Sequence, residues 1–217
     1  MKTNLPYTEI IGLPGVGKST LINSIENQVE CSGIAERWPE APQKLYFFSS
    51  LTRLYLGFLV YYPSLFLKPK SFKNSWWIIS KVAYRLASLN SRPAKENAVL
   101  RDSGILQPLL SFPAEYGGTK LDLSLLKALL HLIPLPDKVV IVTVDIETAL
   151  ERYLERQKKT DRRSDYSVSS ESYVKAYEIQ QIIHEYLLNR NVQIHSLNLN
   201  VEISDPIKTK LIDFLRI

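Results

Sequence analysis

Two spacings of apolar residues alternate along this chain. Lys138 to Val144 holds an unbroken β-branched run, Val139-Val140-Ile141-Val142-Thr143-Val144. No polar alternation interrupts it, which predicts a strand covered on both faces and hence a parallel sheet. Glu9-Ile10-Ile11 reads as a short first strand, Val29 to Ala35 as a second, Asn97 to Arg101 as a third, and Val192 to Leu199 as a last one. Between them the spacing turns helical. Leu21, Ile22 and Ile25 place a helix from Lys18 to about Gln28, and residues 44 to 92 are mostly helical with breaks around Pro63 to Lys73. An apolar helix from Leu121 to Leu132 is stopped by Pro134 and Pro136, and two more run over Ile146 to about Lys158 and Ser170 to Asn189. Asp205-Pro206 supplies an N-cap and a first-turn proline for a final helix to Arg216. Strands alternating with helices predict an α/β fold: a five-stranded parallel sheet with right-handed crossovers and helices on both faces, in three layers.

The chain of 217 residues suffices for a single domain, and 27 Lys+Arg against 22 Asp+Glu leaves a net charge of +5. That excess suits an anionic ligand and is too small to imply nucleic acid. One cysteine, Cys31, excludes an internal disulfide, and Met1 to Pro6 lack the apolar core of a signal peptide, so a cytoplasmic location is expected. Leu45 to Leu67 is rich in Leu, Phe and Tyr, but Arg53 near its middle and Pro63 argue against a membrane span. It is expected to be a buried helix or helix pair beside a cleft; the alternative is a surface touching lipid or an amphiphilic, lipid-like acceptor. Nothing in the sequence fixes the oligomeric state, and a homodimer is open.

The chemistry enters at Gly12-Leu13-Pro14-Gly15-Val16-Gly17-Lys18-Ser19, followed by Thr20. This matches G-x-x-x-x-G-K-S/T, the P-loop, with a strand before it and a helix after it. The glycines let successive backbone N–H groups converge on phosphate oxygens, Lys18 adds a charge at the β- and γ-phosphates, and the Ser19 hydroxyl is placed to ligate Mg²⁺. The helix that begins here aims its positive end at the same anion. ATP with Mg²⁺ is the expected ligand. Lys18 is expected to face solvent when the loop is empty.

Other users of such a loop fit less well. A GTPase base-recognition pattern occurs at Thr119-Lys120-Leu121-Asp122, but Ala114 to Gly118 before it is no strand, and Asp102-Ser103-Gly104 lacks the companion spacing. A motor would end an apolar strand in Asp-Glu; Asp145-Ile146-Glu147 comes near, yet Asp145 reads more simply as a helix cap. The order of segments resembles instead the thymidylate kinases and the wider group of nucleoside and nucleoside-monophosphate kinases. The matching pieces are the loop Gly12 to Ser19, the acidic residue after the third strand in Arg101-Asp102-Ser103, and the strand Val139 to Asp145. A helix with arginines, Ala149 to Arg156, and the basic run Lys158-Lys159-Thr160-Asp161-Arg162-Arg163 complete the series. The resemblance covers nearly the whole chain and implies a P-loop kinase, a single domain over residues 1–217. It departs at Arg101-Asp102-Ser103-Gly104, where thymidylate kinases have Asp-Arg and then an aromatic or His, and where deoxynucleoside kinases have Glu-Arg-Ser, so it does not carry over the nucleobase.

Six basic residues lie between Arg152 and Arg163, and Arg152 and Arg156 share a helical face, so at least one should point at the loop. In a kinase, residues 152–169 would be a basic lid whose Arg152, Arg156 and Arg162 neutralise the transferring phosphoryl group. Residues 36–110 would form the acceptor side. Asp102 is assigned to the metal or base role, and Glu36 or Arg37, in Ala35-Glu36-Arg37-Trp38-Pro39, to the acceptor, with Arg101 beside it. The sequence thus points to ATP-dependent phosphoryl transfer to a small molecule. The alternatives are a nucleotide kinase of thymidylate type, and a P-loop NTPase or regulatory switch with no acceptor.

Overall fold

The computed structural model describes residues 7–25, 44–63, 69–90, 99–101, 104–110, 123–160, 169–200 and 204–215. Four parallel strands form one sheet among them: β1 (Tyr7–Ile11), β2 (Val99–Arg101), β3 (Lys138–Thr143) and β4 (Gln193–Asn198), in the order β2-β1-β3-β4. The second strand expected from the sequence, Val29 to Ala35, lies outside the described residues. Parallel neighbours require crossovers, and helices supply them. These are α1 (Lys18–Ile25), α2 (Lys44–Tyr61), α3 (Pro69–Asn90), α4 (Leu123–Leu132), α5 (Ile146–Thr160), α6 (Ser170–Leu188) and α7 (Asp205–Leu215). The last begins at its expected cap, one residue before the expected first turn. Asp205 is already helical, and the Ser204 carbonyl accepts the first N–H groups.

The register Glu9↔Val139, Ile10↔Val140, Ile11↔Ile141 sorts side chains into two faces by parity. Tyr7, Ile11, Val139 and Ile141 join one core, built with α2, α3, α4 and the C-terminal part of α6. Ile10, Leu100, Val140, Val142 and Leu197 join the other, with α1, α7 and the N-terminal part of α6. All five residues of β1 are buried, as a central strand covered on both sides must be.

The expectation of a buried helix over Leu45 to Leu67 needs correction. One helix, α2, takes most of the stretch, and it turns only Ser50, Leu54 and Phe58 fully inward. Gly57 gives α2 its close approach to α4, since a Cβ there would stand 2.7 Å from Leu132 Cδ2. The opposite side is apolar too, and it is exposed: Leu45 keeps 77% of its surface and Val60 69%, with Phe48, Leu56 and Leu59 between them. A helix whose exposed side is also largely apolar gives only a weak periodic signal to say which side is covered. Among the described residues no helix is long and apolar enough to cross a membrane.

Candidate phosphate-binding site

The chain leaves β1 toward β2 on one side and leaves β3 toward β4 on the other. The carboxyl ends of β1 and β3 therefore flank the point where winding reverses, the usual ligand crevice of an open parallel sheet. Gly12 to Gly17 occupies it. Gly12 lets the loop pass against β3, because a Cβ there would meet the Val142 carbonyl oxygen at 2.5 Å. Gly15 and Gly17 take φ of +88° and +94°, the left-handed region that favours glycine. Gly15 also lies against α5: a Cβ would stand 2.1 Å from the Ala149 oxygen and 3.2 Å from the Tyr153 nitrogen. Leu13 and Val16 point down into the core under the loop, and the Val16 N–H donates to the Leu13 carbonyl at 3.4 Å.

Lys18 opens α1, but its side chain does not face solvent as expected. It turns back on the loop, and Nζ donates to the carbonyls of Gly12 at 2.7 Å and Leu13 at 3.1 Å. Ser19 follows it, half-buried, and Thr20 is exposed.

Three residues that sequence reasoning passed over hold the loop. Tyr173 on α6 is fully buried, and its hydroxyl donates to the Pro14 carbonyl at 2.9 Å. Burial pushes that phenol well above its ordinary pKa. Glu9 on β1 is completely buried, and its carboxylate accepts N–H bonds from Ile105, Leu106 and Gln107 at 3.1, 2.8 and 2.9 Å. Burial raises its pKa to about 7, against the lowering pull of those three donors and of Arg85. Gly104 is the only residue type that fits beside this carboxylate, since a Cβ would fall 2.4 Å from Glu9 Cδ. Gln107 then spans the gap to the loop: the Gly12 N–H donates to its Oε1 at 3.3 Å, and its Nε2 donates to the Gly12 carbonyl at 3.1 Å. A lone carboxylate in the strand Tyr7-Thr8-Glu9-Ile10-Ile11 was the one visible signal; nothing marked Gln107 or Tyr173.

Of the other residues singled out from the sequence, Arg152 and Arg156 are exposed on α5. The Arg156 guanidinium stands 5.8 Å from the centre of the Tyr153 ring, which lies 6.2 Å from that of Tyr173. Arg101 ends β2, in register with Glu9. Glu36, Arg37, Asp102 and Arg162 lie outside the described residues. Among the described residues no three His, Cys, Asp or Glu side chains cluster as a metal cage. Ser19 at the first turn of α1 fits a Mg²⁺ held largely by phosphate oxygens and water, with few protein ligands.

No family model matches the chain, and no curated protein matches it. Solved structures do. Deoxyadenosine kinase from M. mycoides with bound dATP superposes with a TM-score of 0.57 at 18% identity, over 96% of this chain and 98% of that one. The same enzyme with bound dCTP gives 0.56 at 15%, again over 96% and 98%. The chain thus shares the α/β fold of a nucleoside kinase, with its parallel sheet and flanking helices, across nearly its full length. The narrower likeness to thymidylate kinases rests on the sequence segments quoted above.

Proposed function

We propose that the chain is a P-loop phosphotransferase that moves the γ-phosphoryl group of Mg-ATP to a hydroxyl of a small acceptor of nucleoside type. The observation that carries this reading is the Gly12–Ser19 loop, shaped by two left-handed glycines at the carboxyl ends of β1 and β3. The fold shared with a deoxyadenosine kinase supports a nucleoside as the acceptor. Backbone N–H groups of the loop and the amino end of α1 bind the β- and γ-phosphates. Lys18, whose ammonium has a donor beyond those given to Gly12 and Leu13, adds a point charge there. Ser19 and Asp102 would hold Mg²⁺, which would neutralise phosphate charge. The acceptor oxygen attacks phosphorus, the bond from the γ-phosphorus to the β-γ bridging oxygen breaks, and ADP leaves. A carboxylate, Asp102 or Glu36, orients the hydroxyl and takes its proton, while Arg37 and Arg101 contact the acceptor. Arg152, Arg156 and Arg162 stabilise charge that spreads over the equatorial oxygens in the transition state.

The test is transfer of label from γ-labelled ATP to a panel of nucleosides, nucleoside monophosphates and other small alcohols, with phosphate release followed in parallel. Label in a nucleoside product is the expected result. Phosphate release of equal rate with and without every acceptor would establish the switch or NTPase reading instead.

A further inference from the structure

Helix α2 packs with one side only. Ser50, Leu54 and Phe58 face the core, Gly57 lets the helix pass close to Leu132 of α4, and Tyr55 packs on Trp76 of α3 with ring centres 5.1 Å apart. On the other side Leu45, Phe48, Thr52, Leu56 and Leu59 are all exposed. At 3.6 residues per turn these five fall in one band about 80° wide along the helix. The four apolar members each keep more than half of their surface in water. With Val60 beside them they present on the order of 600 Å² of apolar surface, as much as the largest patch on a typical monomer and most of the roughly 800 Å² that one partner of a stable interface buries. The only charges of α2, Lys44 and Arg53, stand outside the band, Arg53 about 100° round from Thr52.

The spacing within the band is a palindrome. Steps of 3, 4, 4 and 3 residues run from Leu45 to Leu59, with Thr52 in the middle. Two such helices laid antiparallel about a two-fold axis at Thr52 bring Leu45 of one copy level with Leu59 of the other, and Phe48 level with Leu56. The members of each level pair lie to opposite sides of the centre line, so they pass side by side as interlocking ridges do. Only the residue on the axis meets its own copy head-on. That position has the smallest side chain of the five, and its hydroxyl can both donate to and accept from its twin.

We propose that α2 is the centre of an isologous interface with a second copy of this chain, its Leu45–Leu59 stripe packing antiparallel on the same stripe about an axis at Thr52. A helix that lies in a lipid surface carries a broad charged face rich in Lys and Arg. Helix α2 has no such face, because the side away from the stripe is in the protein core. A lipid or an unrelated protein would also leave the palindrome without a reason, whereas self-pairing requires it.

The test is sedimentation velocity across the micromolar range for the parent chain, Phe48→Glu, Leu56→Lys and an equimolar mixture of the two variants. The parent should pass from monomer to dimer as concentration rises. Each variant alone puts two unpaired charges into the stripe and should raise the dissociation constant at least about tenfold. Both side chains are exposed in the single chain, so circular dichroism melts at the lowest concentration should match the parent's and show that the fold is kept. Mixing the variants should restore the dimer. The introduced carboxylate then faces the introduced ammonium, and the other layer keeps Phe48 against Leu56. A parent that stays monomeric throughout would overturn the proposal, as would variants that dimerise like the parent. A mixture that stays monomeric would overturn the antiparallel pairing. A monomeric parent that sediments with phosphatidylcholine–phosphatidylserine vesicles, and loses this on Phe48→Glu, would assign the stripe to lipid instead.

Discussion

Replacing Gly15 by alanine adds one carbon atom at a place with two separate objections to it. The backbone φ of +88° costs an L-residue about 1–2 kcal/mol. The new Cβ would also stand 2.1 Å from the Ala149 oxygen and 3.0 Å from its carbonyl carbon, both backbone atoms of the first turn of α5. That oxygen approach is about 1 Å too short for any Cβ, and helix backbone cannot rotate away as a side-chain tip can. Relief needs α5 to shift as a body, an overpacking cost of roughly 1–3 kcal/mol. Gly17 provides the internal control. Its φ of +94° imposes the same backbone cost, yet its Cβ would meet only Leu199 Cδ1, at an ordinary 3.5 Å. Part of that cost is offset because alanine lowers the entropy of the unfolded chain by about 0.4–1 kcal/mol. The net expectation is a loss of about 1 kcal/mol for Gly17→Ala and about 2–4 kcal/mol for Gly15→Ala. At roughly 2–4 °C per kcal/mol for a chain of this size, the melting temperatures should fall by about 3 °C and about 6–12 °C. Far-UV circular dichroism melts without nucleotide, with urea titrations alongside, measure both. Equal losses, or a larger loss for Gly17→Ala, would refute the packing of α5 against the loop.

Three further outcomes follow from contacts around the loop. Glu9 binds its proton more tightly folded (pKa about 7) than unfolded (4.5), so stability should decline as pH rises from 4.5 to about 7 and then level off. The ceiling of that decline is about 3 kcal/mol, and Glu9→Gln should flatten it, as urea midpoints against pH in both proteins will show. Tyr173→Phe leaves the Pro14 carbonyl unmet and should cost about 1 kcal/mol in urea unfolding, with KM for ATP raised more than kcat is lowered; parent-like values of all three would remove the hydroxyl from the account. Alanine at Arg152, Arg156 or Arg162 should lower kcat on the order of 10³-fold for whichever residue touches the transferring group, with ATP affinity little changed. Single-turnover rates within about twofold of the parent for all three, the scale of an exposed charge, would dismiss the arginine lid.

Strand β3 and the helices α5, α6 and α7 were legible to within a residue or two, because each has one strong local signal: a β-branched run, a 3.6-residue spacing, a capping pair. The loop was legible for the same reason, its chemistry being written in consecutive residues. The rest depends on contacts remote in sequence. Pro14 and Tyr173 are separated by 159 positions, and Gly12 and Gln107 by 95, and no spacing rule connects such pairs. The turn of Lys18 back onto the Gly12 and Leu13 carbonyls was not legible, since those carbonyls converge only once the loop has closed. The inner side of α2 was hidden because its outer side is equally apolar.

The sheet separates two foundations. Leu13 and Val16, beneath the loop, are rooted with α1 and α7 in one core, while α2, α3 and α4 are rooted in the other. Substitutions that reshape the second group of helices need not disturb the packing that supports the glycines. In a lineage carrying this fold, α2, α3 and α4 can therefore vary while Leu13 and Val16 keep their packing beneath the loop, with α6, which contributes to both cores, as the element least free to drift.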